Sequence, residues 1–561
     1  MRRLIVLSLV LFAISLFAMV PLAPPQAAAH VQRYSCAELQ QASIPNTTIT
    51  LTQVNPASTN PLAPAHCEIV GKINDRVGQD GKPYAIGFHL RLPVSWNGRF
   101  FFQGGGGLDG NLGNALGGIG NGQTSNAVSQ GYAVVSTDAG HTPQPVPGIG
   151  GALFGLDPQA RIDYGYNALD VVTHTAKQIV RLHYGERPRY SYFIGCSNGG
   201  RQGMVAAERF PEHFDGIVAG DPGFNLPKAA VAEAWDSQAF AIAATQVDIG
   251  GQPYLPTSFS FGDLTLVTNA ILQKCDGLDG LTDGIINNLP ACHFDAVELQ
   301  CPGAKDSTCL SRQQVAALRA VFAGARNSRG QTLYSNFPYD AGIGTPGWRV
   351  WKIGFPAPPG APLVNNAINL TLGAVALPYV FVTPPDAISA NDLARYMLNF
   401  NFDLDAPKIF QTSGIFTQSS MEFMSADSTE LRDFRRRDNK LIVYHGGSDP
   451  VFSVNDTIRW YKRLRNNHGE FDDNFARLFI IPGMNHCGGG PATDLADVLT
   501  PIVQWVEHGQ APDAIIGTAN PGSPWPGRTR PLCPYPQQAR YKGSGDINNA
   551  ANFTCERPDG H

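Results

Sequence analysis

Two rhythms of apolar positions run along this chain. Short segments with strand character come first: Gly87–Leu92 alternates apolar and polar residues, Arg99–Gln103 is aromatic, and Tyr132–Ser136 is β-branched and apolar. Between Asn167 and Leu182 the period lengthens, with Leu169, Val172, Ala176, Ile179 and Val180 at helical spacing. Strand Tyr190–Ile194, a helix over Arg201–Arg209 and strand Gly216–Ala219 follow. The alternation stops after Pro222. It resumes with strand Lys440–Tyr444, helix Thr457–Arg465, strand Arg477–Ile481 and a last helix around Leu495–Glu507. Alternating strands and helices predict an α/β fold with a mostly parallel sheet covered on both faces. The interrupted stretch predicts a domain inserted into that sheet.

The first residues carry a different signal. Arg2 and Arg3 precede an apolar run, Leu4–Val20, and Ala27-Ala28-Ala29 supplies a small-residue cleavage site. The pattern predicts a signal peptide over 1–29 rather than a membrane anchor, since Pro21 interrupts the run. The expected divisions are 30–222 for the first part of the core, 223–437 for the insertion and 438–561 for the second part with its tail. With 41 basic and 46 acidic side chains and no basic tract, nucleic acid is not an expected partner. The expected location is secreted or periplasmic, with no membrane partner after cleavage. Four N-x-[ST] sites, at Asn46, Asn369, Asn455 and Asn552, matter only in a eukaryotic host.

Gly195-Cys-Ser-Asn-Gly199 has the G-x-S-x-G spacing of a nucleophile elbow, placed between a strand and a helix. A serine hydroxyl needs a base, and the base needs an orienting acid. In the order Ser, Asp, His, the chain offers Ser197, Asp449 in Gly447-Ser-Asp-Pro450, and His486 in Asn485-His-Cys487. Asp449 and His486 each lie just past a strand, at the carboxyl edge where ligands bind in open α/β sheets. Asp456 is the rival acid, and a turn would equally explain Asp449. His141, His445 and His508 are rival bases, but none follows a strand at the right point in the order. The glycine run Gly104–Gly107, after strand Arg99–Phe102, suits an oxyanion loop, with backbone N–H groups from Gly105 or Gly106 and from Asn198. It lacks the lysine of a phosphate loop.

Ten cysteines in an exported chain argue for disulfides, although sequence alone leaves the connectivity open. The local neighbours are Cys36 with Cys67, Cys275 with Cys292, Cys301 with Cys309, and Cys533 with Cys555. Cys196 and Cys487 remain. If Ser197 and His486 meet, these two are close enough for a bridge. Asp276, Asp279 and Asp283 alternate with glycines in the run Cys275–Ile286. Hard oxygen donors of this kind suit Ca²⁺, although the spacing is not that of an EF-hand and an Asp-Gly turn loop is the plainer reading.

These segments, with the tail Thr529–Tyr535, resemble the tannase and feruloyl esterase family, which includes the mono(hydroxyethyl) terephthalate hydrolases. The resemblance spans nearly the whole mature chain. It implies an α/β-hydrolase core with a lid inserted after the elbow, and a disulfide between Cys196 and Cys487. It also implies local pairing of the other cysteines, and a structural lid Ca²⁺ held by Asp276, Asp279, Asp283 and the carbonyls of Leu281 and Ile285. No organic cofactor is expected. Expected substrates are small esters of aromatic acids (gallate, hydroxycinnamate or terephthalate), free or attached to plant polysaccharide or polyphenol. Some family members hold a substrate carboxylate with a lid arginine; Arg395 is a possible counterpart, and a surface arginine the alternative. Trp348, Trp351, Tyr379 and Phe400 are lid aromatics that suit either ring stacking or core packing.

The expectation is therefore a serine carboxylic-ester hydrolase of feruloyl esterase type, with tannase or terephthalate monoester activity as alternatives. A lipase or peptidase, or a binding module without catalysis, ranks below these. Zinc chemistry at His486-Cys487 lacks a second ligand pair at metal spacing.

Overall fold

In a computed structural model, residues 33–468 and 474–558 are described. The expected leader, 1–29, lies outside them. Among the described residues, no helix is long and apolar enough to cross a membrane.

The core is one nine-stranded sheet. Its strands are β1 (Thr47–Asn55), β2 (His66–Val77), β3 (Pro83–Pro93), β4 (Arg99–Gln103), β5 (Ala133–Thr137), β6 (Tyr190–Cys196), β7 (Gly216–Gly220), β8 (Lys440–Gly446) and β9 (Ala476–Ile481). Their spatial order is β1-β2-β3-β5-β4-β6-β7-β8-β9. The first three strands are antiparallel, and β3 meets β5 antiparallel. From β5 onward every pairing is parallel. The mostly parallel sheet read from the sequence is present, with β1–β3 as an antiparallel wing.

Pleating explains why both faces are covered. Along β4, Phe100 and Phe102 enter one apolar cluster and Phe101 enters another. Helix α1 (Ala168–Tyr184) lays Leu169, Val172, Ala176, Ile179 and Val180 on the Phe100/Phe102 face. Helix α8 (Leu499–His508) packs Leu499, Ile502 and Trp505 on the other. It begins after Leu495, the expected start, because Asp497 accepts the orphan N–H groups of Leu499 and Thr500. Helices α2 (Asn198–Arg209), which follows the elbow, and α7 (Val454–His468) join α1 on the Phe100/Phe102 face.

Residues 223–437, where the sequence breaks its alternation, fold as helices and turns. Helices α3 (Leu226–Ala243), α4 (Phe261–Cys275), α5 (Arg312–Ala323) and α6 (Pro346–Lys352) share a third apolar cluster around Phe240, Leu264, Leu318 and Trp348. That cluster also takes in Val451 and Phe452, which follow β8. The insertion is thus packed against the carboxyl edge of the sheet. Asp340 ties it down: its carboxylate accepts from Gly483 N–H at 2.6 Å and Ser448 Oγ at 2.9 Å.

Candidate active site

Ser197 follows β6 directly and stands at the N-cap position of α2. Its φ of 66° and ψ of −126° lie outside the regions an L-residue ordinarily occupies. The surrounding glycines make the strained turn possible. A Cβ on Gly195 would stand 2.6 Å from the Gly199 carbonyl carbon, and one on Gly199 would stand 2.5 Å from Gly105 O. Strand, elbow and oxyanion loop are therefore in backbone-to-backbone contact. The helix begins at Asn198 rather than Arg201, because the serine itself is the turning residue.

His486 Nε2 lies 2.8 Å from Ser197 Oγ, and its Nδ1 lies 2.8 Å from Asp449 Oδ2. Three segments distant in sequence meet at one point. Asp449 Oδ1 accepts from the N–H groups of Val451 and Phe452, at 2.7 and 3.1 Å. Burial would push this carboxyl up, but His486 first and then His445 outweigh it and hold Asp449 well below the usual carboxylate range. Burial pushes His486 down, and the adjoining Asp449 charge and hydrogen bond reverse this, leaving it above an ordinary imidazole. Trp351 and Phe452 set their rings edge-on to His486, at 5.1 and 5.3 Å between centroids.

The rivals are elsewhere or do other work. Asp456 accepts from Asn225 at 3.0 Å. His141 stacks on Phe154 at 3.8 Å, and burial pushes it down to about 4. His508 ends α8. His445 is fully buried behind Asp449, with Nε2 3.4 Å from Asp449 Oδ2 and 3.0 Å from Phe452 O, and Nδ1 2.8 Å from Thr457 Oγ1. It braces the acid.

The oxyanion candidates separate. Gly105 N–H is taken: it donates to Gln202 Oε1 at 3.0 Å. This corrects the expectation that Gly105 serves as a donor. Gly106 N–H and Asn198 N–H carry no bond among the described residues. The Asn198 group is the orphan donor at a helix start. Sequence reasoning missed the scaffold behind them. Half-buried Asp109 accepts from Asn198 Nδ2 at 2.5 Å and Gln202 Nε2 at 2.8 Å, and loss of solvent around its carboxyl pushes it up to about 6. Arg201 donates to Asn198 Oδ1 at 2.7 Å. Together they fasten the glycine loop to the elbow helix.

The five disulfides are Cys36–Cys67, Cys196–Cys487, Cys275–Cys292, Cys301–Cys309 and Cys533–Cys555. The Cys196–Cys487 bridge spans 6.0 Å between Cα atoms and joins the elbow to the base loop. It also removes Cys487 as a thiolate ligand, which disposes of the zinc idea. Asp221, at the end of β7, supports the same junction, accepting from Gly446 N–H at 2.7 Å and Cys487 N–H at 3.0 Å. Burial pushes it up to about 6. Nothing in the sequence around Asp221 announces this role.

A cavity of about 190 Å³ opens at Ser197 and His486. Its apolar walls include Leu226, Trp351, Leu372, Phe381 and Phe452. A larger one, about 500 Å³, lies beside the C-terminal tail and includes none of Ser197, Asp449 and His486. Of the four lid aromatics, Trp351 alone lines the catalytic cavity. Trp348 and Tyr379 are in the lid core. Phe400 packs between Tyr396 and Phe402. Arg395 is exposed and pairs with Asp392, one helical turn away. The structure therefore brings neither Arg395 nor Phe400 to the cavity, correcting both expectations.

In the Cys275–Ile286 loop, Asp276 accepts from Asp283 and Gly284 N–H, and Asp279 from Leu281 and Asn287 N–H. Asp283 pairs with Arg530. Among the described residues, the three carboxylates do not converge within 4.8 Å of one another. The loop offers three carboxylates as hard oxygen donors; burial, with Asp283 adding, pushes Asp276 up and Asp279 to about 6.

A sheet of this topology, with a serine elbow, a facing histidine and a buried carboxylate, defines a serine hydrolase of the α/β-hydrolase class. The family profile described as "Tannase and feruloyl esterase" matches residues 67–556. The chain is 48% identical over 532 residues to the mono(2-hydroxyethyl) terephthalate hydrolase of Piscinibacter sakaiensis, covering 90% of this chain and 87% of that one. Its fold matches feruloyl esterase B from Aspergillus oryzae (TM-score 0.72, 24% identity, 93% of this chain and 99% of that one). It also matches a tannin acyl hydrolase from Aspergillus niger (TM-score 0.65, 19% identity, 91% and 92%). The chain belongs to the tannase and feruloyl esterase family and is a carboxylic-ester hydrolase.

Proposed function

We propose that this enzyme cleaves esters of aromatic acids through an acyl-enzyme. The observation that carries the reading is the Ser197–His486–Asp449 relay opening into a cavity walled by Trp351, Phe381 and Phe452. Ser197 Oγ attacks the ester carbonyl while His486 Nε2 takes its proton. Asp449 fixes the tautomer and stabilises the imidazolium. Gly106 and Asn198 N–H groups receive the developing oxyanion. His486 returns the proton to the leaving alcohol, and water, activated by the same imidazole, resolves the acyl-enzyme. Apolar, aromatic walls suit a ring better than a polar peptide. The name of the 48% identical relative also supports an aromatic acid.

Initial rates on methyl ferulate, methyl gallate and mono(2-hydroxyethyl) terephthalate test this directly. Turnover of at least one is expected, with Ser197→Ala folded and inactive. Activity on triolein or casein alone, or an active Ser197→Ala, would overturn the reading.

Export is part of the proposal: the leader-like sequence at 1–29 and five disulfides both support an oxidising compartment. So is a structural Ca²⁺ at Asp276, Asp279 and Asp283, completed by the carbonyls of Leu281 and Ile285. Bound there, it would tie three carboxylates of the insertion together and take no part in the chemistry at Ser197.

A further inference from the structure

The catalytic cavity contains a polar group that ester cleavage does not use. Glu233 lies on α3 and lines the cavity with Leu226 and Ala230. These positions share one face of the helix, and Glu233 stands about 10 Å further along it than Leu226. Glu233 is 6% exposed. Among the described residues its carboxyl makes neither a hydrogen bond nor an ion pair. The neighbouring charges, Lys352 and Asp236, are paired with each other. Gly373 leaves it room: a Cβ there would stand 2.2 Å from Glu233 Oε2.

Buried polar groups in folded proteins are almost always partnered. An unpartnered carboxyl on a ligand cavity therefore points to a partner that arrives with the ligand. Burial pushes Glu233 up to about 8, with Lys352 opposing the shift and Asp236 adding to it. In its protonated form the group can both donate and accept. The cavity is lined by no lysine or arginine among the described residues. An anionic substituent would lose its water there, gain no cation and face a carboxyl. A hydroxyl pairs with Glu233 in either protonation state.

We propose that Glu233 is a specificity-determining residue that hydrogen-bonds a phenolic hydroxyl on the acyl ring of the substrate. The proposal rests on the aromatic-ester reading, which places the ring on the acid side of the ester.

The test compares kcat/KM for methyl 4-hydroxycinnamate with that for methyl 4-methylcinnamate, a near-isostere without the hydroxyl, using the full-length mature enzyme. Wild type should prefer the hydroxyl ester by about tenfold or more, because a site built to bind a hydroxyl rejects the analogue lacking it. Glu233→Met should bring the ratio to within about twofold of one, and Glu233→Gln should keep a preference of about fivefold. Gly373→Ala gives a second route, since its methyl displaces the carboxyl without deleting it, and should also lower the ratio. Each ratio is internal to one protein, so loss of folded enzyme does not alter it. An equal rate on both esters in wild type, or an unchanged ratio in Glu233→Met and Gly373→Ala, overturns the role of Glu233 alone. Turnover of no aromatic ester overturns the underlying reading as well.

Discussion

Replacing Asp449 by asparagine should cost far more than the loss of one hydrogen bond. Asp449 Oδ1 is held by two backbone N–H groups, from Val451 at 2.7 Å and Phe452 at 3.1 Å. Only a carbonyl oxygen can occupy that position. The asparagine NH₂ is therefore forced to the place of Oδ2, where it donates to His486 Nδ1. That fixes the proton on Nε2, so Ser197 Oγ meets an N–H where it needs a lone pair. A wrong tautomer of this kind costs on the order of 10⁴ in kcat, or about 5 kcal/mol. The pH profile should move as well. The Asp449 charge raises His486, so the wild-type acid limb should lie above the ordinary imidazole value of about 6.5. In Asp449→Asn, residual activity should persist to lower pH. The assay is kcat/KM on methyl ferulate from pH 4.5 to 9, with circular dichroism to verify folding. A loss under tenfold, or an acid limb that does not move, would refute the reasoning.

Three further outcomes follow from the same geometry. Replacing Cys196 and Cys487 by serine should lower stability by roughly 3–5 kcal/mol in urea titrations, because the bridge closes a loop of 291 positions; kcat should fall as well, and full kcat would show that the bridge does not align Ser197 with His486. Gly199→Ala places a methyl 2.5 Å from Gly105 O, a backbone atom that cannot move aside without moving the oxyanion loop; about 1–3 kcal/mol of stability and most of kcat should be lost, and wild-type rates would contradict the packing described. Chelation should lower Tm while leaving kcat near wild type at temperatures where the protein stays folded, and an unchanged Tm would count against Ca²⁺ in the Cys275–Ile286 loop.

The parts of this site that could be read from sequence are those set by short-range chemistry. Gly195–Gly199 announces an elbow because the turn needs small residues at fixed offsets. Asp449 and His486 follow strands whose apolar runs are unmistakable. The choice between Gly105 and Gly106 was not legible, since it depends on Gln202, a residue 97 positions away that consumes one N–H. The cavity wall was hidden for a related reason. Leu226 and Glu233 on α3, Trp351 on α6 and Phe381 come from three separate parts of the insertion. Helix α3 is apolar around most of its circumference, so no stripe marks the face that meets Ser197. Arg395 is a counterpart of a lid arginine by resemblance alone, and its pairing with Asp392 keeps it at the surface. Asp221 and Asp109 are ordinary carboxylates in sequence and become supports only when β7, β8 and the glycine loop converge.

The central claim is that one serine carries the acyl group. Mixing the enzyme with excess methyl ferulate, quenching in acid within the first turnover and mapping the digest by mass spectrometry tests it directly. A feruloyl adduct on the peptide containing Ser197, absent from Ser197→Ala, is the predicted result. Steady turnover with the adduct on another residue would contradict the account.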